Sequence, residues 1–136
     1  MRYGVYVPNF GDYGDPRTLV RLAREAEEAG WDGFFVWDHL QFFDPGQRVP
    51  VVDPWVVLSA IAVSTARIRL GPLVTPVARR RPWKLARETA SLDRLSGGRL
   101  ILEVGLGGSG ETDFAWFGEE AAPGCGRASS TRGWPC

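Results

Sequence analysis

Residues 28–40 read EAGWDGFFVWDHL, and this stretch carries the pattern that decides the fold. Gly30 lies where the C-terminus of a helix favours a residue that is free to take a positive φ. The run DGFFVW at 32–37 is short and almost continuously apolar, which is typical of a parallel strand that is buried on both faces. We therefore predict a helix that ends near Gly30, followed at once by a strand.

The same order of elements occurs upstream of this stretch. RYGVYVPNF at 2–10 is rich in β-branched and aromatic residues and predicts a strand. Asp15 and Pro16 then predict the N-cap and the first helical position. The helix that follows has an apolar face at i, i+3, i+4 and i+7. The residues of this face are Leu19, Leu22, Ala23 and Ala26.

Downstream, the order repeats after a long loop from Asp38 to Val52. Asp53 and Pro54 reproduce the cap-plus-proline start, and they predict a helix over 55–65. IRLGPLVT at 68–75 predicts a third strand.

A fourth unit follows the third strand. Arg81 and Pro82 open a helix, and Ser96-Gly97-Gly98 ends it. The predicted apolar stripe of this helix is Leu85, Thr89, Leu92 and Leu95. RLILEVG at 99–105 then predicts a fourth strand, which a glycine-rich loop follows.

Strand–helix units of roughly 30 residues indicate an α/β fold with parallel strands and right-handed crossovers. An eight-fold β/α barrel takes about 250 residues, so four units would make half of one. A doubly wound open sheet could form a complete domain at the present length. The periodicity alone leaves both architectures open.

Composition excludes several classes of protein. The 136 residues carry 16 basic and 16 acidic side chains, which argues against a dedicated nucleic-acid binder. No apolar run reaches the roughly 18 residues of a membrane helix. Cys125 and Cys136 both lie near the C-terminus, so no disulfide framework is expected in the body of the chain, and a cytoplasmic location is predicted. No spaced group of His and Cys predicts a metal site.

His39 is the only histidine, and it follows the second strand directly. The carboxyl ends of parallel strands carry the active site in α/β proteins, and a neutral imidazole there can transfer a proton near pH 7. His39 is therefore the candidate catalytic residue, and a loop histidine that caps a turn is the alternative. Asp38 could orient it or cap the loop.

Residues 105–110 spell G-x-G-x-x-G after a strand, which is the letter pattern of a dinucleotide-binding loop. The loop follows the fourth strand rather than the first, and no clear amphipathic helix comes after it. A Rossmann-type nicotinamide enzyme is therefore an alternative, and either a close backbone approach to a ligand or a plain turn is favoured.

Five segments together resemble the N-terminal half of the luciferase-like monooxygenase family, the flavin- or deazaflavin-dependent oxidoreductases. These segments are RYGVYVPNF, LAREAEEAGWDGFFVWDHL, DPWVVLSAIAVSTARIRLGPLVTP, RRPWKLARETASLDRLSGGRLILEVGLG and FGEE. The resemblance covers residues 1–120 and implies four β/α units of an eight-fold β/α (TIM) barrel. It also implies a small-molecule substrate, a possible homodimer, and hydride transfer or flavin-mediated oxygenation.

The resemblance implies FMN or coenzyme F420 as the cofactor, lying over the carboxyl ends of the strands. It implies a non-proline cis peptide in the stretch Leu73-Val74-Thr75, which would buttress the ring. His39 would face the cofactor, with Glu111 as a nearby carboxylate, and Asn9 and Phe10 would border the substrate. The predicted cofactor-binding residues are Asp38, Leu73, Val74, Thr75, Gly105, Gly107 and Glu111.

The sequence changes character at Ala121. AAPGCGRASSTRGWPC lacks hydrophobic periodicity and holds both cysteines. We predict a partial barrel domain over 1–120 and a disordered tail over 121–136 that arose from a frameshift. The frameshift would truncate the barrel, and the half barrel that is left would have two unpaired edge strands, so the chain is expected to be inactive by itself. A non-catalytic fragment or partner subunit is the third alternative.

Overall fold

A computed structural model of the chain describes residues 1–44 and 47–107, together with Phe114 and Phe117. The predicted alternation of strands and helices is confirmed in this part of the chain. In order, the elements are β1 (Gly4–Val7), α1 (Pro16–Glu28), β2 (Gly33–Val36), β3 (Phe43–Asp44), β4 (Gln47–Arg48), α2 (Pro54–Ser64), β5 (Arg69–Pro72), β6 (Thr75–Pro76), α3 (Pro82–Ser96) and β7 (Val104–Gly105). The predicted tail at 121–136 lies outside the described residues.

Three strands form the main parallel sheet, in the order β1-β2-β5. The predicted third strand is interrupted, since β5 ends at Pro72 and β6 begins at Thr75. The Leu73–Val74 peptide between them is cis. The predicted fourth strand is likewise paired only at its two ends. Leu100 bridges Leu70, and β7 pairs with β6 in parallel. The prediction of a continuous 99–105 strand is therefore wrong in its middle.

The long loop after β2 contains an element that the sequence analysis did not predict. β3 and β4 form a short antiparallel hairpin, with Phe43 opposite Arg48. The end of the loop runs back towards the first strand, where Val51 bridges Phe10. The end of the loop thereby lies beside the segment that follows β1.

The predicted helix caps are confirmed. The Asp15 carboxylate accepts hydrogen bonds from the Arg17 N–H at 3.2 Å and from the Thr18 hydroxyl at 3.1 Å. The Asp53 carboxylate accepts from the Val56 N–H at 3.0 Å. These acceptors satisfy N–H groups that the first turn of a helix leaves without intrahelical partners. Gly97 ends α3 in the left-handed conformation, with φ of 69°.

The core lies between the helices and the main sheet. Leu19, Ala23 and Ala26 of the predicted α1 face are buried, and Leu22 packs against them while partly exposed. The predicted α3 stripe is wrong at Leu95, which is 50% exposed although Leu85 and Leu92 are buried. Each helical residue turns the chain by about 100°, so Leu95 points roughly 60° away from Leu92 and leaves the core face.

Arg99 closes the C-terminus of α2. Its guanidinium donates hydrogen bonds to the carbonyl oxygens of Ala62 at 2.6 Å, Thr65 at 3.1 Å and Ile68 at 2.9 Å. The last carbonyls of a helix lack intrahelical donors, so a cation there satisfies them. Arg99 therefore fixes the end of α2 against the start of β5.

Glu27 joins the end of α1 to the segment that leads into β5. Its carboxylate accepts hydrogen bonds from three consecutive backbone N–H groups, those of Ala66 at 3.1 Å, Arg67 at 2.6 Å and Ile68 at 2.7 Å. Burial raises the pKa of Glu27, but these donors outweigh it, so the pKa lies below its usual value.

We expect Glu27→Gln to lower the free energy of unfolding by about 1–2 kcal/mol at neutral pH, since a charged acceptor is lost in a partly exposed position. A carboxylate whose folded-state pKa is lowered stabilises the protein above its unfolded pKa, about 4.3, and this stabilisation is lost as the pH falls through the folded pKa. Urea unfolding at pH 7 and at pH 3 should therefore show a smaller difference between wild type and variant at pH 3. Glu28→Gln, on the exposed side of the same helix, is the control. Equal losses for the two variants would contradict the prediction.

Candidate functional site

The carboxyl ends of the parallel strands converge on one cavity of about 200 Å³. Its lining residues are Tyr6, Trp37, Asp38, His39, Leu73, Val74, Pro76 and Gly107. The cavity brings together His39 and four of the predicted cofactor-binding residues, which are Asp38, Leu73, Val74 and Gly107. Because parallel α/β proteins bind ligands at this edge of the sheet, it is the candidate active site.

Two other predicted cofactor-binding residues lie behind the cavity wall. Thr75 is buried, and its N–H donates to the Glu103 carbonyl oxygen at 2.8 Å. Gly105 pairs with Pro76, and a Cβ at Gly105 would come within 2.9 Å of the Val74 side chain. Both residues therefore support the wall that Leu73 and Val74 form. Glu111 lies outside the described residues.

Asp38 is the centre of a buried charged network. Its side chain is 1% exposed, and its carboxylate meets the Arg80 guanidinium at 2.6 Å and the Arg79 guanidinium at 3.3 Å. The Thr75 hydroxyl donates to the same carboxylate at 3.2 Å, and Arg79 also donates to the Asp38 carbonyl oxygen. Buried charges need such paired partners. The network ties the end of β2 to the segment that carries Leu73 and Val74.

Arg80 extends this network to the helices. Its guanidinium lies 5.5 Å from the centre of the Trp55 ring and 3.6 Å from the Glu88 carboxylate. Trp55 belongs to α2 and Glu88 to α3. In the sequence, the basic stretch 79–81 follows the third strand, and it predicts a solvated loop, with contact to an anionic cofactor as the alternative. In the structure, Arg79 and Arg80 turn inward and meet Asp38, which no local signal indicates.

His39 lines the cavity and is exposed, with aromatic rings next to its imidazole. The centre of its ring lies 5.2 Å from that of Trp37 and 5.6 Å from that of Phe10. Phe10 in turn stacks on Phe42 with centroids 4.1 Å apart. The arrangement presents a titratable imidazole next to flat apolar surfaces, which suits a planar ligand and proton transfer to or from it.

Tyr6 is a site residue that the sequence analysis missed. Val5 and Val7 pack on the helix side of β1, so the strand alternation turns Tyr6 towards the cavity, where its ring lies 5.4 Å from that of Trp37. Burial raises the pKa of Tyr6, and the negative charge of Glu103 raises it further. The phenol is therefore a hydrogen-bond donor at neutral pH. The alternation of side chains along GVYV is the sequence signal from which Tyr6 could have been identified.

The Trp37 indole supplies a test of whether a ring-shaped cofactor fits. Its Nε1–H is buried and has no hydrogen-bond acceptor among the residues that the structure describes, although the side chain lines the cavity. A buried donor needs a partner, and a ring carbonyl of a flavin or deazaflavin would provide one. The cavity is smaller than the roughly 300–1,000 Å³ of a whole ligand site, so these residues fit part of such a ring.

A larger cleft of about 530 Å³ lies on the outer surface beside α1. Charged side chains line most of it, among them Arg17, Arg21 and Arg24 with Glu25 and Glu28. It contains neither the histidine nor an aromatic ring. Over the described ranges, no group of three or more His, Cys, Asp and Glu residues is placed to hold a metal ion. In the same part of the chain, no helix has the length and apolarity needed to cross a membrane.

Known proteins resemble this chain both in sequence and in structure. The chain is 44% identical over 96 residues to the F420-dependent glucose-6-phosphate dehydrogenase of Beutenbergia cavernae, a match that covers 69% of this chain and 28% of that protein. The coenzyme F420-dependent tetrahydromethanopterin reductase of Methanopyrus kandleri has a similar structure, with a TM-score of 0.71 at 28% identity over 88% of this chain and 30% of that one. A riboflavin lyase solved with modified FMN and riboflavin gives a TM-score of 0.73 at 27% identity, over 87% of this chain and 32% of that one.

The chain therefore spans less than a third of the length of the curated relatives it matches first. These relatives do not favour the alternative of a nicotinamide enzyme built on residues 105–110. The family model described as luciferase-like monooxygenase matches residues 1–129. With parallel strands, a cis peptide at Leu73–Val74 and a histidine at the end of β2, the chain belongs to the luciferase-like monooxygenase family.

Proposed function

We propose that this chain forms part of an eight-fold β/α barrel oxidoreductase that uses coenzyme F420, with His39 as its proton-transferring residue. The observation that carries the proposal is the cavity where His39, Trp37 and the Leu73–Val74 wall meet at the strand ends. Similarity to proteins named F420-dependent supports the choice of cofactor. The substrate is a small molecule whose identity depends on loops beyond the described residues.

FMN is the second candidate cofactor, and the similarity to the riboflavin lyase solved with modified FMN favours it. Either cofactor supplies the redox chemistry when bound, whereas the protein orients the ring and controls access to it. Leu73 and Val74 would support one face of the ring, and the Trp37 Nε1–H would donate to one of its carbonyls. His39 would hold or release the proton that accompanies the redox step. A homodimer stays a prediction. Val56 and Val63 of α2, each 67% exposed, are apolar residues through which two copies could associate.

Titration of the purified chain with F420 and with FMN, followed by fluorescence, tests the proposal. The same titration is made on a chimaera in which residues 1–107 replace the matching segment of the Beutenbergia cavernae enzyme. We expect F420 to bind more tightly than FMN, and we expect Trp37→Phe to weaken binding about tenfold because it removes only the indole donor. Trp31→Phe, at an exposed position outside the cavity, is the control.

The proposal fails if neither the chain nor the chimaera binds either cofactor. Tighter binding of FMN would replace F420 by FMN as the cofactor and leave the rest of the proposal standing. Equal effects of Trp37→Phe and Trp31→Phe would show that the Trp37 indole does not bind the cofactor.

A further inference from the structure

Asn9 makes contacts that the proposed chemistry does not use. It follows β1, its side chain is 0% exposed, and the side-chain amide makes three hydrogen bonds. Nδ2 donates to the carbonyl oxygens of His39 and Val52, each at 2.8 Å, and Oδ1 accepts from the His39 N–H at 3.2 Å. Both donors of the amide and one acceptor site are therefore engaged.

The side-chain amide of Asn9 takes the place of the main-chain hydrogen-bond partner that the sheet lacks at this position. The ladder between β1 and β2 continues as far as the Trp37 N–H, which donates to the Val7 carbonyl oxygen at 3.0 Å. Beyond it the main chain of Asn9 turns away, because its carbonyl oxygen accepts from the Val52 N–H at 2.9 Å. The side chain of Asn9 then binds both the N–H and the C=O of His39, as a neighbouring strand would.

This double contact restricts the peptide groups on both sides of the His39 Cα. Fixed backbone dihedrals limit the rotamers that a side chain can adopt. The His39 ring then lies beside Phe10, the residue directly after Asn9. On the other side, Arg79 holds the carbonyl oxygen of Asp38, the residue directly before His39. The backbone that carries the imidazole is thus held from β1 and from the segment after β6.

We propose that Asn9 is a positioning residue that sets the direction of the His39 imidazole towards the cavity. The catalytic part of this inference rests on the proposed function, whereas its structural part does not. The chain contains one histidine, so histidine-selective labelling gives one imidazole and one amide signal without assignment. The Trp37 amide, one ladder step before, serves as an internal reference, and among the six tryptophans of the chain it is identified by its loss in Trp37→Phe.

The first experiment is amide hydrogen exchange of the full chain by NMR. In Asn9→Ala, we expect the protection of the His39 amide relative to the Trp37 amide to fall at least about tenfold, since its acceptor is removed. The imidazole signals should also shift. Glu27→Gln is the matched control, because it weakens side-chain hydrogen bonds to three backbone groups at the opposite end of the fold. It should leave the ratio of His39 to Trp37 protection unchanged.

The second experiment measures turnover in the chimaera. Asn9→Ala should lower kcat about tenfold with little change in the KM for the cofactor, as expected when a catalytic group is misplaced. Asn9→Asp, nearly isosteric but without the two donated hydrogen bonds, should shift the imidazole signals in the same direction.

Wild-type His39 signals in both variants would overturn the inference, as would a local loss of protection with unchanged kcat. If both Asn9 variants fail to fold while Glu27→Gln folds, Asn9 serves stability alone and the inference is also overturned. Failure of the proposed function would appear differently, as absence of cofactor binding by the wild type. The hydrogen-exchange result would still report on the role of Asn9, because it does not depend on the cofactor.

Discussion

Replacing His39 by alanine is expected to lower turnover of the chimaera by tenfold or more, while the dissociation constant of the cofactor changes less. A positioned acid–base group contributes typically about 10²–10⁴-fold to rate, and the imidazole is the one side chain at the cavity whose ordinary pKa lies near neutrality. The His39 ring lies at a tilt to the rings of Trp37 and Phe10, with centroids 5.2 Å and 5.6 Å away. Steady-state kinetics give kcat and KM, and fluorescence titration gives the dissociation constant.

The neighbouring exposed residue supplies the control, because Leu40→Ala changes the same loop without removing a titratable group. His39→Gln separates two roles of the imidazole, since glutamine keeps a polar side chain but does not transfer protons near pH 7. Unchanged turnover in His39→Ala, with an unaltered circular dichroism spectrum, would show that His39 is a loop residue only.

Replacing Gly71 by alanine is expected to give the largest loss of stability, about 3 kcal/mol or more in the free energy of unfolding, which is the upper end of the usual cost of overpacking. A Cβ at Gly71 would come within 1.8 Å of the Ile101 carbonyl oxygen. That oxygen belongs to backbone that cannot move freely, because the Ile101 N–H donates to the Leu70 carbonyl oxygen at 2.8 Å. The two segments must separate, and the wall formed by Leu73 and Val74 shifts with them.

Gly30→Ala is the matched control for Gly71→Ala. Gly30 has φ of 89° and an added Cβ would meet nothing within 4 Å, so the variant bears only the cost of a left-handed residue, about 1–2 kcal/mol. Urea unfolding followed by circular dichroism compares the two variants with wild type. Equal losses would show that Gly71 is not held by close packing.

Local signals in the sequence determined the helices and the order of the elements. Asp15 and Asp53 cap α1 and α2 as predicted, and each cap lies within three residues of the N–H groups it binds. The alternating units also place His39 at a strand end without any knowledge of its neighbours. Such features are fixed by residues close together in the chain, which is why the sequence alone predicts them.

The contacts that shape the site were decided only by tertiary structure. Asn9 meets His39 across 30 positions, and Arg80 meets Asp38 across 42. Which of these pairs form depends on the register of β1 against β2 and of β2 against β5, and a shift of one residue would turn each side chain to the other face. The close approach of Gly71 to Ile101 has the same origin, because it arises where two distant strand segments pair. Local patterns therefore predict the elements and the residue at the strand end, whereas strand register selects the side chains that hold that residue in place.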